Sequence, residues 1–307
     1  MIKKNIIESD GFPSIPKKSG WPWEKNIEII TSIRNSHNAL PKISIITPSF
    51  NQGKYIEETI RSVLLQGYPN LEYIIIDGGS TDNSVEIIRK YQKWIKYWVS
   101  EKDEGQSHAI NKGAKCATGE LMGWLNSDDI LLPNCLYNVA TAYGCEPHSL
   151  AFAGICQKYY LETGALQDAI PRKLTSREIA NWGTDGFLYQ PACFFKRSTF
   201  NEIGGLDNKL NYTMDVDLWL RISKLGKFHI INERIAQAKI YPGIKTLSNI
   251  PHRELEKCVI AFNYGYVDIA QKRLGGIINR EISILTFKDL IVLIKSRLRR
   301  VIKKALK

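Results

Sequence analysis

The sequence predicts an α/β fold in which a mostly parallel sheet is flanked by helices. Three observations support this prediction: short apolar segments typical of buried strands, amphipathic segments between them, and polar, glycine-containing segments directly after the strands. With 307 residues, of which 44% are hydrophobic, the chain can bury the core of one large α/β domain or of two smaller ones.

The predicted strands and helices alternate from residue 42 onward. The segments that predict strands are Ile43–Thr47, Leu71–Ile76, Tyr97–Val99 and Leu121–Leu125. Apolar residues at helical spacing predict helices between them, at Tyr55–Leu64, Val85–Tyr91 and Ala109–Cys116. Because crossovers between parallel strands are right-handed, we expect a ligand at the carboxyl ends of these strands.

The chain divides into three predicted parts. Residues 1–41 lack sustained periodicity and contain Gly-Phe-Pro and Trp-Pro-Trp sequences, which predict an extended N-terminal arm. Residues 42–245 form the predicted α/β domain, with one half at 42–145 and the other at 146–245. Residues 246–307 predict a C-terminal helical extension that ends in a basic amphipathic tail.

The net charge of +11 is concentrated near the C-terminus, where residues 280–307 carry nine basic and two acidic side chains. This distribution argues against a basic cleft for nucleic acid and for a tail that docks on an anionic surface. Apolar residues of the tail recur at helical spacing and basic residues fill the opposite face, which is typical of a helix on an anionic membrane leaflet. The alternative is a helix that packs on the domain with a solvated basic face.

The composition predicts a cytoplasmic protein with reduced thiols. The chain has no run of 18 apolar residues, and residues 1–20 are polar where a signal peptide would be apolar. Its six cysteines are widely spaced and form neither a CxxC pair nor a cluster with zinc-ligand spacing.

The expected ligand edge offers carboxylates rather than a glycine-rich phosphate loop, since neither GxxxxGK[ST] nor GxGxxG is present. Asp128 and Asp129 follow the strand Leu121–Leu125, and such oxygen ligands suit Mg²⁺ or Mn²⁺ together with substrate phosphates. The alternative is that Asn126 and the two aspartates cap a helix predicted at Pro133–Tyr143.

A second acidic motif begins the apolar helix predicted around Leu218 and Trp219. Asp215 and Asp217 lie in its first turn, where carboxylates compensate the helix dipole. A carboxylate held near an acceptor hydroxyl could instead act as a general base. The spacing leaves both interpretations open.

Five motifs occur in an order that resembles the inverting glycosyltransferases of family 2, which have the Rossmann-like GT-A fold. These motifs are Ile43–Asn51, Ile76–Asp82, Ala109–Gly113, Trp124–Asp129 and Asp215–Arg221. The resemblance covers residues 42–245 and extends to enzymes of bacterial surface-polysaccharide and O-antigen assembly. It implies that residues 42–145 are the nucleotide-sugar half of the domain and residues 146–245 the acceptor half.

The resemblance implies a donor site in the first half of the domain. Thr47, Pro48 and Ser49 are expected to line the nucleobase pocket, and Asp77 to accept a hydrogen bond from uracil. Lys245 is expected on a loop that closes over the diphosphate, and the alternative for it is a solvated loop lysine. The other residues implied in donor binding are Asn51, Gln106, Asn111, Lys112 and Asn126.

The same resemblance implies a divalent cation, Mn²⁺ or Mg²⁺, bound by Asp128 with Asp129 as the second candidate ligand. Asp215 is the implied catalytic base, and Asp217 takes that role if the match shifts along the helix. Trp182 and Trp219 are candidate acceptor-binding residues, because aromatic faces stack on sugar rings. The chain departs from the family pattern at Gly78, Ile110, Asn126 and Met214.

Together these implications predict a metal-dependent inverting hexosyltransferase at the inner face of the plasma membrane. It would move a sugar from a nucleotide-sugar, expected to be a UDP-sugar, to a hydroxyl of a lipid-linked or growing polysaccharide. The departures from the pattern leave a non-catalytic nucleotide-sugar-binding scaffold as the alternative. A sugar-1-phosphate nucleotidyltransferase would need a glycine-rich basic loop after the first strand, where this chain has Pro-Ser-Phe-Asn.

Overall fold

A computed structural model of the chain describes residues 11–14, 18–24, 40–172, 174–182 and 187–281. The strands of this part are β1 (Ile43–Ser49), β2 (Leu71–Asp77), β3 (Tyr97–Ser100), β4 (Leu121–Trp124), β5 (Ile130–Leu131), β6 (Ala151–Tyr160), β7 (Leu166–Ala169), β8 (Cys193–Lys196) and β9 (Phe228–Ile240). Its α-helices are α1 (Ile56–Leu64), α2 (Ser84–Tyr91), α3 (Gln106–Cys116), α4 (Cys135–Cys145), α5 (Ser176–Ala180), α6 (Arg197–Glu202), α7 (Met214–Leu225), α8 (Lys245–Ser248), α9 (Ile250–Asn263) and α10 (Val267–Glu281).

In the described part of the chain, the strands form one sheet in the order β3-β2-β1-β4-β8-β6-β9-β5, and β7 pairs with β6. The strands β3, β2, β1 and β4 are parallel to one another, as are β6 and β9. β8 lies between these two groups and is antiparallel to both β4 and β6. The predicted α/β fold, a mostly parallel sheet flanked by helices, is confirmed, and antiparallel pairs join its two parallel groups and extend its edges.

Both faces of the parallel strands are buried, because helices cover the sheet on either side. Successive residues of a strand point to opposite faces, so Ile45 belongs to one hydrophobic cluster and Ile46 to the other. The same alternation in β2 places Ile75 in the first cluster and Ile74 in the second. This double burial explains why the strands are continuous apolar segments in the sequence.

The three helices predicted in the N-terminal half are present, with small differences at their ends. The largest difference is in α3, which begins at Gln106 rather than at Ala109. Gly105 precedes it with a φ of 109°, a conformation that glycine adopts easily and that turns the chain into the helix. Gln106 therefore lies in the first turn of a helix rather than in the preceding loop.

Residues 18–24, here called the N-terminal segment, are held on the domain by a buried arginine. Arg61 of α1 is 2% exposed. Its guanidinium donates hydrogen bonds to the carbonyl oxygens of Pro22 at 3.1 Å and Trp23 at 3.2 Å. It also donates to the carbonyl oxygen of Pro13 at 2.7 Å and to Tyr91 Oη at 3.2 Å. The described parts of the predicted arm are thus attached to the domain.

The N-terminal segment also contacts the strand that follows the predicted metal motif. Trp21 Nε1 donates a 2.7 Å hydrogen bond to the carbonyl oxygen of Leu131. Leu131 belongs to β5, which begins directly after Asp129 and pairs with β9. The segment therefore supports the chain next to the two aspartates.

The described part of the predicted C-terminal extension contains most of α8, followed by α9 and α10, which pack against each other. Residues 282–307, which include the predicted basic amphipathic helix, lie outside the described residues. Within the described ranges, none of the helices combines the length and the apolar character that crossing a bilayer requires.

Candidate functional site

A cavity of about 850 Å³ lies at the carboxyl ends of β1 and β4, where the sequence predicts a ligand. One wall comes from the segments after β1 and β4 and from the start of α3, and we call it the β1 wall. Another part of the lining comes from Trp182 and α9, and we call it the α9 wall. The volume of the cavity is in the range found for cofactor and small-molecule sites. The polar and charged lining includes Ser49, Asp103, Gln106, Asn126, Asp128, Asp129, Asp215, Lys239, Tyr241, Lys245, Arg253 and Lys257.

Pro48 and Ser49, two of the residues predicted to contact a nucleobase, line the cavity, whereas Thr47 does not. Thr47 is fully buried, and its hydroxyl shares a 3.0 Å hydrogen bond with Tyr73 Oη. Ser49 Oγ is buried and has no hydrogen-bond partner among the residues that the structure describes. A polar ligand in the cavity can satisfy this hydroxyl.

Asp77 and Asn51 stabilise the loop after β2 and do not line the cavity. Asp77 is completely buried and accepts hydrogen bonds from the Ser80 N–H at 2.8 Å and from Ser100 Oγ at 2.7 Å. Asn51 Oδ1 accepts a 2.8 Å hydrogen bond from the Thr81 N–H. The structure uses both side chains to shape this loop, and direct donor contacts by these residues stay a prediction.

Gly78, which departs from the family pattern, leaves space for the side chain of Asp103. A Cβ atom on Gly78 would lie 2.7 Å from Oδ2 of Asp103, a residue of the cavity lining. A side chain at position 78 would therefore displace that carboxylate.

Gln106, Asn126 and Lys245 form a hydrogen-bonded chain in the cavity lining. Gln106 Nε2 donates to Asn126 Oδ1 at 2.7 Å, and Lys245 Nζ donates to Gln106 Oε1 at 3.0 Å. Lys245 begins the short helix α8 rather than lying in a loop. The structure thus brings three of the predicted donor-binding residues together.

Asn111 and Lys112 do not line the cavity, contrary to prediction. Asn111 exchanges two 2.9 Å hydrogen bonds with the backbone of Leu206 and so ties α3 to the segment after α6. Lys112 forms an ion pair with Glu101 on the surface. Both side chains have structural partners, and neither faces the candidate site.

Asp128 and Asp129 lie together in the turn between β4 and β5. Asp128 Oδ2 accepts a 2.8 Å hydrogen bond from Tyr241 Oη, while Asp129 accepts from Asn126 Nδ2 at 3.2 Å and from the Lys239 N–H at 3.3 Å. Burial raises the pKa of Asp128, and burial together with the negative charge of Asp128 raises the pKa of Asp129 well above its usual range. The pair is costly when both members are ionised, so a cation would stabilise it.

The helix-capping alternative for Asp128 and Asp129 is wrong. β5 intervenes between these residues and α4, which begins at Cys135 with Asn134 at its N-cap position. Their carboxylates are instead presented to the cavity.

The carboxylate pair fits a metal that is shared with a ligand. The described residues contain no group of three or more His, Cys, Asp and Glu side chains that could hold a metal ion by themselves. Mg²⁺ is usually bound through one or two carboxylates, with phosphate and water oxygens completing its shell. Lys239 partly offsets the charge of the pair, but its ammonium is itself paired with Glu58 at 2.9 Å. The pair can therefore act as the protein part of a cation–diphosphate site.

The structure distinguishes the two candidate bases. Asp215 lines the cavity from the first turn of α7, and burial raises its pKa to about 6. Asp217 is buried outside the lining, where it pairs with Arg221 at 2.8 Å and accepts a 3.0 Å hydrogen bond from Tyr264 Oη. Of the two carboxylates, Asp215 is the one that a ligand in the cavity can reach, and Asp217 stabilises packing around α7.

Glu256 of α9 orders the segment that leads to Asp215. Its buried carboxylate accepts hydrogen bonds from the N–H groups of Asn211 at 2.8 Å and Tyr212 at 2.9 Å. It also accepts a 2.9 Å hydrogen bond from Thr213 Oγ1. These three bonds fix the start of α7 and with it the position of Asp215.

Trp182 lines the cavity, whereas Trp219 lies behind it. Trp219 is completely buried and packs edge-on against Trp182, with 6.1 Å between the ring centroids. Trp219 therefore cannot stack on an acceptor sugar, which corrects the prediction for this residue. Trp182 is anchored by a 2.7 Å hydrogen bond from its Nε1 to the carbonyl oxygen of Leu188.

Among the lining residues that were not identified from the sequence are Lys239, Tyr241, Arg253 and Lys257. Lys239 and Tyr241 reach Asp128 from the end of β9 across sequence separations of 111 and 113 residues, and no spacing pattern encodes such contacts. Arg253 and Lys257 lie one helical turn apart on α9. That spacing of four between two basic residues is the signal that could have drawn attention to them.

The fold is similar to those of solved GT-A glycosyltransferases. TarS of S. aureus (residues 1–349, in complex with UDP-GlcNAc) has a TM-score of 0.62, covering 83% of this chain and 79% of that chain at 18% identity. A mannosyltransferase of Pyrobaculum calidifontis, in complex with GDP-Man and Mn²⁺, has a TM-score of 0.56, covering 86% and 81% at 18% identity. Similarity at these identities establishes the fold class and no more.

Sequence similarity then identifies the family. The profile of glycosyl transferase family 2 matches residues 44–204, so the chain belongs to that family. An uncharacterised glycosyltransferase of Rickettsia typhi is 30% identical over 218 residues, 66% of this chain and 64% of that protein. TuaG of Bacillus subtilis, a putative teichuronic acid biosynthesis glycosyltransferase, is 41% identical over 95 residues, 30% of this chain and 38% of that protein. The chain spans less than two thirds of the length of these curated relatives.

Proposed function

We propose that this chain is a metal-dependent, inverting hexosyltransferase that uses a nucleotide-sugar. The observation that carries the proposal is a single cavity lined by the Asp128–Asp129 pair and by Asp215, a carboxylate with a pKa of about 6. The Asp128–Asp129 pair suits the binding of a cation with a diphosphate, and Asp215 suits the role of a proton acceptor.

In the proposed reaction, an acceptor hydroxyl attacks the anomeric carbon of the donor sugar while the bond to the nucleoside diphosphate breaks on the opposite face. Asp215 accepts the hydroxyl proton, and with a pKa of about 6 it is ionised at neutral pH yet more basic than an ordinary carboxylate. A divalent cation at Asp128 and Asp129 would neutralise the charge that develops on the diphosphate. Gln106 and Lys245 would hold the donor in place.

The proposed donor is a UDP-sugar. Pro48 and Ser49 offer an apolar surface and a hydroxyl that has no partner within the described residues, in the same cavity as Asp128 and Asp129. TarS was solved with UDP-GlcNAc and the Pyrobaculum calidifontis enzyme with GDP-Man, so proteins of this fold accept more than one nucleotide. The nucleobase of the donor is therefore identified by comparing the binding of several nucleotides to this chain.

The proposed acceptor is a hydroxyl of a lipid-linked or growing surface polysaccharide, such as an O-antigen. TuaG is named for teichuronic acid biosynthesis. Another relative, the chondroitin synthase of Escherichia coli, is 25% identical over 197 residues. Both names refer to polysaccharides, which supports a polymeric or polymer-bound acceptor.

Thermal unfolding with a panel of nucleoside diphosphates tests the donor assignment. We expect UDP with Mn²⁺ to raise the unfolding temperature more than UDP or Mn²⁺ separately, since a ligand at 100 times its Kd stabilises the folded state by about 2.7 kcal/mol. Uridine is the matched control and should have little effect, because it lacks the phosphates that bridge to the cation. A preference for GDP would revise the donor, and the absence of stabilisation by any nucleotide would contradict the proposal.

We also propose that the basic tail docks the enzyme on the cytoplasmic face of the plasma membrane. Deleting residues 295–307 removes seven basic side chains, each worth about 1 kcal/mol near an anionic surface. Binding to phosphatidylglycerol vesicles should fall sharply, binding to phosphatidylcholine vesicles should stay low, and turnover of a soluble acceptor should be unchanged. Undiminished binding to the anionic vesicles would show that the tail is not the anchor.

A further inference from the structure

Three basic side chains around α9 share one carboxylate. The carboxylate oxygens of Glu254 lie 2.7 Å from Lys257 Nζ, 3.1 Å from Arg273 Nη1 and 3.4 Å from Arg253 Nη2. These four side chains form one charged cluster. Two of the three basic residues, Arg253 and Lys257, line the cavity.

Lys257 is the most confined member of the cluster. It is 3% exposed and still part of the cavity lining, so its ammonium is enclosed by protein on all sides except the cavity. Burial lowers the pKa of Lys257, and the neighbouring guanidinium groups lower it further, against the opposing effect of Glu254. An ammonium in such a place is stabilised by an additional anion.

The position of the cluster distinguishes it from the donor-binding residues. Lys257 Nζ lies 4.7 Å from the centroid of the Trp182 ring, and Trp182 packs on Trp219 of α7, the helix that carries Asp215. The donor candidates Gln106 and Asn126 belong to the β1 wall. Lys245 is the basic residue that is hydrogen-bonded to that wall. An anion at Lys257 would thus lie beside Trp182, the candidate acceptor-binding residue.

We propose that Arg253 and Lys257 form an anion-binding subsite for the acceptor, and that the acceptor carries a phosphate or carboxylate group near the hydroxyl that is glycosylated. The assignment of Arg253 and Lys257 to the acceptor rests on the proposed function, because it assumes a sugar acceptor that lies against the α9 wall. It narrows the acceptor class from any polysaccharide to a phosphorylated or acidic one. Trp182 then provides the aromatic surface beside the anion.

Calorimetric titrations with small probes test the subsite, first on the protein without nucleotide and then with UDP and Mn²⁺ present. Glycerol 1-phosphate is compared with glycerol, and glucuronate with glucose. We expect a charged probe to bind at least tenfold more tightly than its neutral partner, with UDP–Mn²⁺ present as well as absent. Preference for the phosphate or for the carboxylate identifies the anionic group, whereas equal binding of charged and neutral probes would overturn the proposal.

Two substitutions connect the binding to Lys257. Lys257→Met should weaken binding of the preferred anionic probe at least tenfold and leave UDP–Mn²⁺ binding unchanged, while Lys257→Arg should retain the anion. Lys224→Met is the matched control, because Lys224 also lies over an aromatic ring, 4.6 Å from the centroid of Tyr264, but outside the cavity lining. If Lys257→Met weakens UDP–Mn²⁺ binding instead, the lysine serves the donor and the subsite is refuted.

The same titrations separate this proposal from the proposed function. Failure of the anionic probes in a protein that binds UDP–Mn²⁺ would remove the subsite and leave the glycosyltransferase assignment intact. Failure of UDP–Mn²⁺ would remove the donor assignment, and binding of the probes to the nucleotide-free protein would still support the anion site. Unfolding temperatures of the variants show whether each remains folded, and Glu254 keeps Arg253 and Arg273 as partners when Lys257 is replaced.

Discussion

We expect the Asp128→Asn variant to lose at least about 100-fold of the metal-dependent turnover of the donor. Asn has nearly the size of Asp and can still accept the hydrogen bond from Tyr241, so the local structure is kept. The variant lacks the negative charge with which the side chain would bind a divalent cation. Turnover in the presence of Mn²⁺, together with calorimetric binding of Mn²⁺ in the presence of UDP, measures this effect.

Stability separates a lost cation site from a lost fold. Burial raises the pKa of Asp128, so folding costs more for its ionised carboxylate than for a neutral amide, and the Asn variant should unfold at the same or a higher temperature. Asp168→Asn is the matched control, because Asp168 pairs with Arg234 outside the cavity lining and its loss should leave turnover intact. Full Mn²⁺-dependent turnover of Asp128→Asn would place the cation elsewhere.

The Asp215→Asn variant should lose turnover by about 10²–10⁴-fold, the usual contribution of a general base, and keep its affinity for UDP and Mn²⁺. In the unchanged protein, turnover should decline as the pH falls below about 6, where Asp215 becomes protonated. Initial rates measured between pH 5 and pH 8 test this decline in turnover. A rate that stays level down to pH 5 would argue against Asp215 as the base.

The same substitution should stabilise the protein at neutral pH. The pKa of Asp215 is about 6 in the folded state and near 3.9 in an unfolded chain, so folding favours the protonated form. The stabilisation that the protonated carboxyl group of Asp215 contributes is fully present below about pH 4 and is lost as the pH rises through 6. Allowing for partial exposure, Asp215→Asn should gain about 1–3 kcal/mol at pH 7.5 and nothing near pH 4.

Asp217→Asn should have the opposite effects. Asp217 pairs with Arg221 and accepts a hydrogen bond from Tyr264, so its replacement removes an ionic partner from a buried guanidinium and lowers stability. Turnover per folded molecule should be retained. The two variants together decide which aspartate is the base, since one is inactive and more stable while the other is active and less stable.

The sequence predicts the parallel half of the fold well because both faces of these strands are buried. Local apolar composition is enough to locate such strands, and the handedness of the crossovers then places the segments after them at one edge. Asp128 and Gln106 belong to the segments that were predicted at the site for this reason, and both line the cavity. Asp215, predicted from the family resemblance instead, lines it as well.

The direction of individual side chains could not be predicted in the same way. Thr47 and Ser49 belong to one strand, yet the hydroxyl of Thr47 is used by Tyr73 and the hydroxyl of Ser49 has no partner in the described part of the chain. Asp77 looks like a ligand-binding residue in the sequence, but its carboxylate closes a turn. Whether a polar side chain binds a ligand or a neighbouring residue depends on which hydrogen-bond partners the protein places beside it. Tertiary packing determines these partners.

The second half of the site depends on sheet order, which local patterns do not encode. β9 pairs with β6 in the parallel direction and with β5 in the antiparallel direction, and this arrangement brings Lys239 and Tyr241 to Asp128. α9 then adds Arg253 and Lys257 to the lining. A sequence pattern restricted to neighbouring residues carries no record of these pairings.

The contacts of Arg61 bear on where the shortest stable form of the chain begins. The family match starts at residue 44, after all three carbonyl oxygens that its guanidinium uses, those of Pro13, Pro22 and Trp23. A polypeptide trimmed to that boundary would lose these three hydrogen bonds to a charged group and would open the guanidinium to water, which replaces only part of their contribution out of a total stability of about 5–15 kcal/mol. We therefore expect the shortest stable form of the chain to be longer than the region matched by the family, and a shortened gene for expression should retain the codons for residues 11–24.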